Sequence, residues 1–483
     1  MKFGKSTRRR ALTGRRPLAA LGASALALSL TMLGSTAGSS AATGNNANIV
    51  YSVHPIAIKA SSAVAASGFV PGQCIAAVGL ACYGPQILHT AYQVPWTING
   101  QLAGTGEQVA IIDAYGSPTI AQDLATFDSE FGLPPANLHV YYPDGKVPFN
   151  PTFRSGLQVG WAQETSLDVE TVHDLAPGAQ INLIVASSPN GNDLNVAERY
   201  AVTNHLGNVM TMSFGSPESA IKGAGNNLQF QQADAIYREA NAQGVSVFAS
   251  SGDSGASNGG STANASFPAS DPNVTATGGT NLFVAADTQP TSTDGTYAGE
   301  YTWNDSASAT CPFGCLYGIF GATGGAPSSV FTAPSYQSAT SGISARTTSD
   351  VSFNASVYTA TMIYLGFLGA ANNGFYFFGG TSEASPSWAA ITADLDQAMG
   401  TGLGLLNPTL YSLAANPTTY VQDFHDVTVG NNALNYPNEA APAPGYQAGP
   451  GYDLPTGLGT PIVSGLLNSL APLAKLGFTQ PTS

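Results

Sequence analysis

Short apolar segments alternate with longer helical ones through the middle of the chain, and this alternation limits the folds that the chain can adopt. The apolar segments that read as strands buried on both faces are residues 109–113, 181–186, 209–213 and 245–250. Helical periodicity fills the gaps between them, for example over residues 193–205 and 228–243. Strands separated by helices form βαβ units. The sequence therefore predicts an α/β fold with a doubly wound, mostly parallel sheet and helices on both faces.

The first 41 of the 483 residues have the pattern of a secretory signal peptide. Seven of the 15 basic residues lie within the first 16, an apolar run follows from Leu18 to Leu33, and small residues lead to Ala37 or Ala41. We therefore expect export, by either the general or the twin-arginine route. Residues 42–82 are rich in alanine and serine and are interpreted as a short pro-segment or an N-terminal arm. Residues 83–475 are expected to form one large catalytic domain.

The charge balance of the exported part narrows the function classes. Beyond residue 41 the chain has 8 basic residues against 29 acidic ones, a net charge of −21. Nucleic-acid binding requires basic patches, so this class is disfavoured. Acidic charge suits a protein that works at low pH, where carboxylates are protonated and self-repulsion falls. Acidic charge that serves solubility alone is an equally good interpretation.

Four cysteines occur as two close pairs, Cys74 with Cys82 and Cys311 with Cys315. In an exported chain an even number of cysteines favours disulfides, and this spacing favours two local ones. A four-thiolate zinc site would need tighter pairs, with two residues between the cysteines.

Residues 161–175 form a predicted helix that ends at Pro177-Gly178 and places a pair of acids on its apolar face. Glu164 and Asp168 are one turn apart on that face, so the pairing should raise the pKa of one of them. Glu170 and Asp174 lie on the opposite side and are expected to be solvated. A buried, hydrogen-bonded structural pair is the alternative for Glu164 and Asp168.

Two further motifs follow predicted strands. Asp253 lies in Ser250–Gly255, at the carboxyl end of a strand, where α/β sheets place their sites; a simple turn former is the alternative. Ser382 follows an apolar strand and a double glycine and precedes a helix predicted to have proline in its first turn. This position would expose the hydroxyl of a nucleophile, and a helix N-cap is the alternative.

A serine nucleophile needs a base, and no histidine in the chain is suitably placed. None of the six histidines is followed by glycine, as in the His-Gly-Thr element of subtilisins. His173 shares the helix of Glu164 but lies about 180° round from it. The carboxyl pair is therefore the best base, and a carboxylate base indicates chemistry at acid pH.

These motifs together resemble those of the sedolisins, secreted acid serine-carboxyl peptidases with a subtilisin-like fold. The Glu-x-x-x-Asp helix matches at Glu164 and Asp168, the Ser-Gly-Asp-Ser-Gly turn at Asp253, and the Gly-Thr-Ser-x-x-x-Pro motif at Ser382 and Pro386. Supporting matches occur at residues 83–86, 91–92, 213–215 and 278–280. The resemblance extends from about residue 83 to about residue 470.

The resemblance implies a role for each of these residues. Ser382 would be the nucleophile, Glu164 its general base, and Asp168 the group that orients Glu164 and shares protons with it. Asp253 would stand in the oxyanion hole as a protonated carboxyl that donates a hydrogen bond, with the backbone N–H of Ser382 as a second donor. The expected kcat/KM profile is a bell centred roughly between pH 3 and 5.

The resemblance also implies one calcium ion, Ca²⁺, near the C-terminus. Its ligands would be the carboxylates of Asp426 and Asp453 and the carbonyls of Val427, Gly449 and Gly451, completed by water. Without the resemblance, these residues would be interpreted as metal-free turns.

The sequence departs from the family pattern before the catalytic match, beside the nucleophile and at Ser349, where the family favours proline before Asp350. Only about forty residues separate the signal from the catalytic match, where the family has a large prodomain. Glu383 replaces a small residue beside the nucleophile and is expected to add charge near the site.

The favoured function is a secreted, monomeric endopeptidase that acts on protein or peptide substrates, without stable membrane association. A catalytically silent secreted binding protein on the same scaffold is the alternative. A two-carboxylate glycosidase is disfavoured, because a sugar-binding site would not explain the serine motif.

Overall fold

The computed structural model describes residues 49–53, 55–306, 320–435 and 443–470, together with the backbone of residues 478–479. All of them belong to one structural unit, Gly44–Ser483. The predicted signal peptide and the pair Cys311 and Cys315 lie outside the described residues.

The strands are β1 (Ile56–Lys59), β2 (Ala81–Tyr83), β3 (Thr97–Ile98), β4 (Gln101–Leu102), β5 (Gln108–Ala114), β6 (Asn137–Tyr141), β7 (Gln180–Ala186), β8 (Val209–Met212), β9 (Ser216–Pro217), β10 (Ser246–Ser250), β11 (Ser266–Phe267), β12 (Thr275–Val284), β13 (Tyr297–Thr302), β14 (Pro327–Thr332), β15 (Ala345–Thr347), β16 (Val351–Asn354), β17 (Thr359–Leu365), β18 (Gly374–Gly379), β19 (Phe424–His425), β20 (Thr460–Pro461) and β21 (Phe478–Thr479). The α-helices are α1 (Ser62–Ala66), α2 (Pro71–Val78), α3 (Pro85–Ala91), α4 (Ile120–Phe131), α5 (Leu157–Leu175), α6 (Gly191–Thr203), α7 (Glu218–Gly223), α8 (Asn227–Ala242), α9 (Ser335–Ser341), α10 (Thr381–Met399), α11 (Asn407–Ala414), α12 (Pro417–Asp423) and α13 (Val463–Leu470).

The main sheet has the order β13-β12-β10-β8-β5-β7-β6, and β16 also pairs with β12. Its pairs are parallel except for β12 with β13 at one edge. The four strands expected from apolar segments are β5, β7, β8 and β10, and each lies in this sheet. The predicted mostly parallel sheet is confirmed.

Helices cover both faces of the main sheet. Alternate residues of β5 face opposite sides, so that Val109 and Ile111 pack into one hydrophobic cluster and Ala110 and Ile112 into another. The first cluster contains buried residues of α5 and α10, and the second contains residues of α6 and α8. The apolar segments are continuous because both faces of these strands are buried.

A second sheet, which the sequence did not indicate, has the order β1-β18-β17-β2. The N-terminal arm supplies β1, antiparallel to β18, and β2, parallel to β17. A disulfide between Cys74 and Cys82 ties α2 to β2, which confirms the first of the two expected bridges. β18 leads directly into α10, so the arm supports the segment that precedes Ser382.

None of the helices within the described residues is long and apolar enough to cross a membrane.

Candidate active site

The candidate site lies where parallel strands of the main sheet end. β8 and β10 are neighbours, and the residues after their carboxyl ends meet the first turn of α10. A cavity of about 90 Å³ opens there, and its lining includes Ser213, Asp253, Thr381 and Ser382. The structure thus brings the two predicted loop motifs together.

Helix α5 supplies the carboxyl pair and is buried almost all round. Glu164 and Asp168 have no exposed surface, as the apolar face predicted. The expectation that Glu170 and Asp174 are solvated is wrong, since both are buried. α5 packs against α10 and the sheet on one side and against α3, α4 and β17 on others, so no face is left for water.

The two outward acids of α5 have partners from other segments, although Glu170 Oε1 and Asp174 Oδ1 accept no hydrogen bond within the described chain. The backbone N–H of Tyr364 donates to Glu170 Oε2 at 2.8 Å. His89 Nε2 lies 3.4 Å from Asp174 Oδ1 and 2.8 Å from the Asp174 carbonyl oxygen. These carboxyls therefore have structural surroundings away from Ser382.

Glu164 is buried without a hydrogen-bond partner for either carboxyl oxygen among the described residues. Burial raises its pKa well above the ordinary value, and the nearby Ser382 hydroxyl lowers it only in part. That hydroxyl is close to Glu164 but lacks hydrogen-bond geometry toward it, and Ser382 Oγ instead lies 3.4 Å from the Ser213 carbonyl oxygen. A buried, unpartnered carboxyl beside a serine hydroxyl can accept the hydroxyl proton after a small movement.

Asp168 is held by the residue that follows β8. Ser213 Oγ donates to Asp168 Oδ1 at 2.7 Å and lies 3.2 Å from the Ser382 carbonyl oxygen. Burial raises the pKa of Asp168 well above its ordinary value, and the charges of Asp113 and Glu164 raise it further. Ser213 therefore links the carboxyl pair to the backbone of the candidate nucleophile.

Asp113 is a third carboxyl of this group and was not among the predicted site residues. It lies near the carboxyl end of β5, fully buried, and the described chain offers neither of its oxygens a hydrogen bond. Burial raises the pKa of Asp113 to about 7, although the nearby Thr165 hydroxyl lowers it in part. The signal that could have found it is an acid at the end of an apolar strand at the same sheet edge.

Asp253 is positioned by the turn before α10. Its Oδ1 accepts hydrogen bonds from Thr381 N and Thr381 Oγ1, both at 2.7 Å. Gly380, at φ +133°, approaches so closely that a Cβ there would lie 3.0 Å from Asp253 Oδ2. Glycine at position 380 allows Asp253 to pack against the start of α10. The Oδ1 atom of Asp253 stabilises the turn through its hydrogen bonds with Thr381.

Ser382 is the second residue of α10 and is 3% exposed. The N-cap is Gly380, so the interpretation of Ser382 as an N-cap is wrong. Pro386 is the sixth helical residue, not part of the first turn as expected. Pro386 has no backbone N–H to donate to the carbonyl oxygen of Ser382, four residues earlier. That oxygen therefore lacks this helical hydrogen bond, and Ser213 Oγ lies within hydrogen-bond distance of it.

His173 lies away from the site, as its helical position indicated. Its Nε2 lies 2.9 Å from the Pro134 carbonyl oxygen and 3.1 Å from Asp128 Oδ1.

Glu383 is also directed elsewhere, toward β16 and β17. The hydroxyl of Thr361 and the amide of Asn354 donate to its carboxyl. Burial raises the pKa of Glu383 to about 8. At acid pH this residue is neutral, so the expectation that it adds charge to the site is wrong.

The predicted calcium ligands are grouped in one loop region. Gly449 N donates to Asp453 Oδ2 at 2.9 Å, and Gly451 N lies 3.0 Å from Asp426 Oδ2. Burial and, to a smaller extent, the nearby charge of Asp426 raise the pKa of Asp453 to about 6, while the described Lys and Arg side chains form no ion pair with either carboxylate. Two like charges folded together without a counterion are a donor set that fits Ca²⁺. No cluster of three or more His, Cys, Asp or Glu side chains occurs in the described chain, so carbonyls and water would complete the shell.

The chain is similar to several known proteins. The model of the subtilase family matches residues 155–416. Kumamolisin of Bacillus sp. (strain MN-32) is 34% identical over 404 residues, which cover 81% of this chain and 64% of the relative. Sedolisin of Pseudomonas sp. (strain 101) is 32% identical over 387 residues, 77% of this chain and 59% of the relative.

A solved structure adds the three-dimensional match. Pseudomonas sedolisin, a serine-carboxyl proteinase complexed with two molecules of pseudo-iodotyrostatin, gives a TM-score of 0.65 at 29% identity, over 81% of this chain and 98% of that chain. The chain belongs to the sedolisin family. The resemblance drawn from the motifs and the expected subtilisin-like fold are thereby confirmed. The chain spans less than two thirds of the length of the curated relatives just named.

Proposed function

We propose that this sedolisin is an exported, acid-acting serine-carboxyl endopeptidase that hydrolyses peptide bonds in proteins through a Ser382 acyl-enzyme. The observation that carries the proposal is the meeting of Ser382, Glu164 and Asp168 with Asp253 at the carboxyl ends of β8 and β10. A fold alone does not give a function, but this group of side chains contains a nucleophile, a base and an acid in reach of one another.

In the acylation step Ser382 Oγ attacks the carbonyl carbon of the substrate while Glu164 takes the hydroxyl proton. A bond forms between Oγ and the carbonyl carbon, and the carbonyl π electrons move to oxygen. Glu164 then gives the proton to the departing amine nitrogen as the C–N bond breaks. Water attacks the resulting ester in the same manner, and Glu164 again accepts and returns a proton.

Asp253 and the backbone N–H of Ser382 hold the developing oxyanion. The second N–H of a helix has no intrahelical acceptor, so that of Ser382 is free of helix bonds. Asp253 Oδ1 accepts hydrogen bonds from Thr381, and we assign the proton of the neutral carboxyl to Oδ2. A protonated Oδ2 donates to the oxyanion, whereas an ionised one repels it.

Proton sharing among the buried carboxyls of Glu164, Asp168 and Asp113 sets the acid limb of the pH–activity profile. Burial raises the pKa values of Glu164, Asp168 and Asp113, so the group retains protons in acid. Because the raised pKa delays the ionisation of Glu164 as pH rises, the acid limb of the pH–activity profile lies above an ordinary glutamate pKa of about 4.3. We place the optimum near the upper end of the expected range, at about pH 5.

Asp426 and Asp453, with the carbonyls of Val427, Gly449 and Gly451, would hold one calcium ion. When bound, the ion would neutralise two carboxylates and fix the C-terminal loop, and it takes no part in bond cleavage.

Hydrolysis of casein between pH 2 and 8, measured for the wild type and Ser382→Ala, tests the function. We expect turnover in acid by the wild type and none by the variant. A folded wild-type protein that cleaves nothing across this range would support the silent binding protein instead.

A further inference from the structure

Residues 321–325, here called the glycine segment, run beside the turn that carries Asp253. Ala322 N donates to the Asp253 carbonyl oxygen at 3.0 Å, and Gly324 N donates to the Gly252 carbonyl oxygen at 2.6 Å. Both acceptors belong to the turn itself. The glycine segment therefore fixes the main chain at Asp253 and at the residue before it.

The glycine segment lies too close to this turn for a side chain at its centre. A Cβ on Gly324 would clash with the Ser251 carbonyl oxygen. Gly325 follows at φ +122°, a conformation that other residues rarely adopt. The segment is therefore bent out of the ordinary extended form, in which successive carbonyl groups point to opposite sides.

The side chain of Asn432 holds this bent form. Its Nδ2 donates to the Gly324 carbonyl oxygen at 2.9 Å and to the Gly325 carbonyl oxygen at 3.0 Å. The two carbonyl groups thus converge on one amide, although they belong to successive residues. An amide nitrogen has two hydrogens, and both are used here.

Asn432 has no exposed surface and is itself held from other directions. Its Oδ1 accepts from Tyr446 N at 2.8 Å, and its own N–H donates to the Tyr446 carbonyl oxygen at 3.2 Å. Its carbonyl oxygen accepts from Ala256 N, just beyond the turn, at 3.1 Å. A buried side chain whose donors and acceptor are all used is held in one orientation, so Asn432 is a rigid support for the glycine segment.

We infer that Asn432 is a positioning residue of the peptidase reaction, which acts through the glycine segment to hold the Asp253 carboxyl at the oxyanion. The inference rests on the proposed function. Thr381 anchors one oxygen of this carboxyl, and the glycine segment anchors the main chain that carries it. Without the amide, two buried carbonyl groups would lose their donor, and the segment would relax and turn Gly324 N away from the turn. The Asp253 carboxyl would then shift relative to Ser382, and an oxyanion donor acts only at hydrogen-bond distance from the developing charge.

A double-mutant cycle separates the positioning of Asp253 from a general loss of stability. We expect Asn432→Ala to lower kcat about tenfold and to leave KM within about twofold, because the shift affects the transition state more than substrate binding. In an Asp253→Ala background the same change should lower kcat by less than about twofold, because the carboxyl that it positions is absent. An equal factor in the two backgrounds, or an unchanged kcat in Asn432→Ala, would overturn the inference.

Asn182→Ala is the matched control. Asn182 is equally buried, and its Nδ2 donates to Gln108 Oε1 at 3.0 Å and to the Leu206 carbonyl oxygen at 2.7 Å. It lies in the first half of β7, away from the carboxyl ends of the strands that carry the site. Both variants should lose stability, but only Asn432→Ala should lose kcat. The same fall in kcat in Asn182→Ala would make lost stability the cause and reject the positioning role.

Hydrogen exchange at the Gly324 amide provides a readout that does not need catalysis. This amide donates to the Gly252 carbonyl oxygen, so its protection reports the contact between the glycine segment and the turn. We expect protection to fall about tenfold in Asn432→Ala and to be retained in Asn182→Ala. Asn432→Asp keeps the shape of the side chain and, while neutral in acid, one of its two donors, so its protection should be intermediate.

Asn432→Asp supplies both readouts if Asn432→Ala does not fold. Full protection of the Gly324 amide in the folded Asn432 variants would overturn the inference, even in a protein without activity. Lost protection in these variants, combined with a wild type that cleaves no peptide, would show that the peptidase proposal has failed and that the support of the turn by Asn432 has not.

Discussion

Replacing Glu383 with glutamine should remove part of the loss of stability on going from acid to neutral pH. Burial raises the pKa of Glu383 from 4.5 to about 8 in the folded protein. Below pH 4.5 the folded and unfolded chains both hold the proton, and the stabilising contribution is fully present. As pH rises toward 8 the unfolded chain releases the proton first, so the folded state loses this contribution.

The magnitude follows from the two pKa values. At pH 7 the unfolded carboxyl is ionised and the folded one is still mostly protonated, a difference of about 2.5 pH units or ~3 kcal/mol in the free energy of unfolding. Glutamine cannot ionise, so this slope disappears. At pH 4 the variant should be less stable by about 1 kcal/mol, because one amide hydrogen meets the donating Asn354 side chain.

Urea unfolding at pH 4, 5, 6 and 7, in a Ser382→Ala background that prevents self-cleavage, measures this difference. Between pH 4 and 7 the Glu383→Gln chain should lose ~3 kcal/mol less than its parent. Glu130→Gln, a change at an exposed glutamate, should follow the parent. If Glu383→Gln loses as much stability as the parent, burial of a neutral carboxyl at this position is not the cause.

Three further results are expected. Glu164→Gln should reduce kcat by at least about a hundredfold, the size of a lost general base, whereas His173→Ala should retain most activity; near-full activity in Glu164→Gln would reject the base. Asp253→Asn should be slower at the optimum but lose less activity toward neutral pH, because an amide donates at every pH; an alkaline limb identical to that of the wild type would exclude a protonated aspartate. Calcium chelation should lower the melting temperature of the wild type, because it removes about 2.7 kcal/mol of stabilisation if calcium was present at a hundred times Kd. The melting temperature of Asp426→Ala should not respond to the chelator. Equal melting temperatures of the wild type with and without chelator would contradict the calcium site.

Local patterns predicted the parts of the molecule that pack in a regular way. The apolar segments became β5, β7, β8 and β10 because a strand buried on both faces needs apolar side chains at most positions. The α5 and α10 motifs were identified because the spacing of acids and the glycines before Ser382 are local features. Their meeting depends on the sheet order, which the βαβ pattern constrains only in part.

The remaining features depend on contacts between distant parts of the chain. Helical spacing distinguishes an apolar from a polar face, but Glu170 and Asp174 are buried because β17 and α3 cover the polar one. In the sequence, Asp113 is indistinguishable from an ordinary residue near the end of a strand. Its place in the group of carboxyls depends on the fold, which brings Glu164 and Asp168 close to it. The alanine- and serine-rich arm has weak hydrophobic periodicity, so its strands could not be predicted from local sequence. Its strands β1 and β2 form by pairing with the distant β18 and β17.

The assembly of the site from separate strand ends also determines when the chain acquires chemical reactivity. More than two hundred residues lie between Glu164 and Ser382, so the two side chains approach only after the long-range parallel pairs of the sheet have formed. Such non-local contacts form slowly and late. A partly folded intermediate whose α10 has not docked has a serine without a base, and it cannot cut its unfolded neighbours. A chain with the proposed activity therefore becomes reactive only when helix α10 has docked against α5 and the sheet.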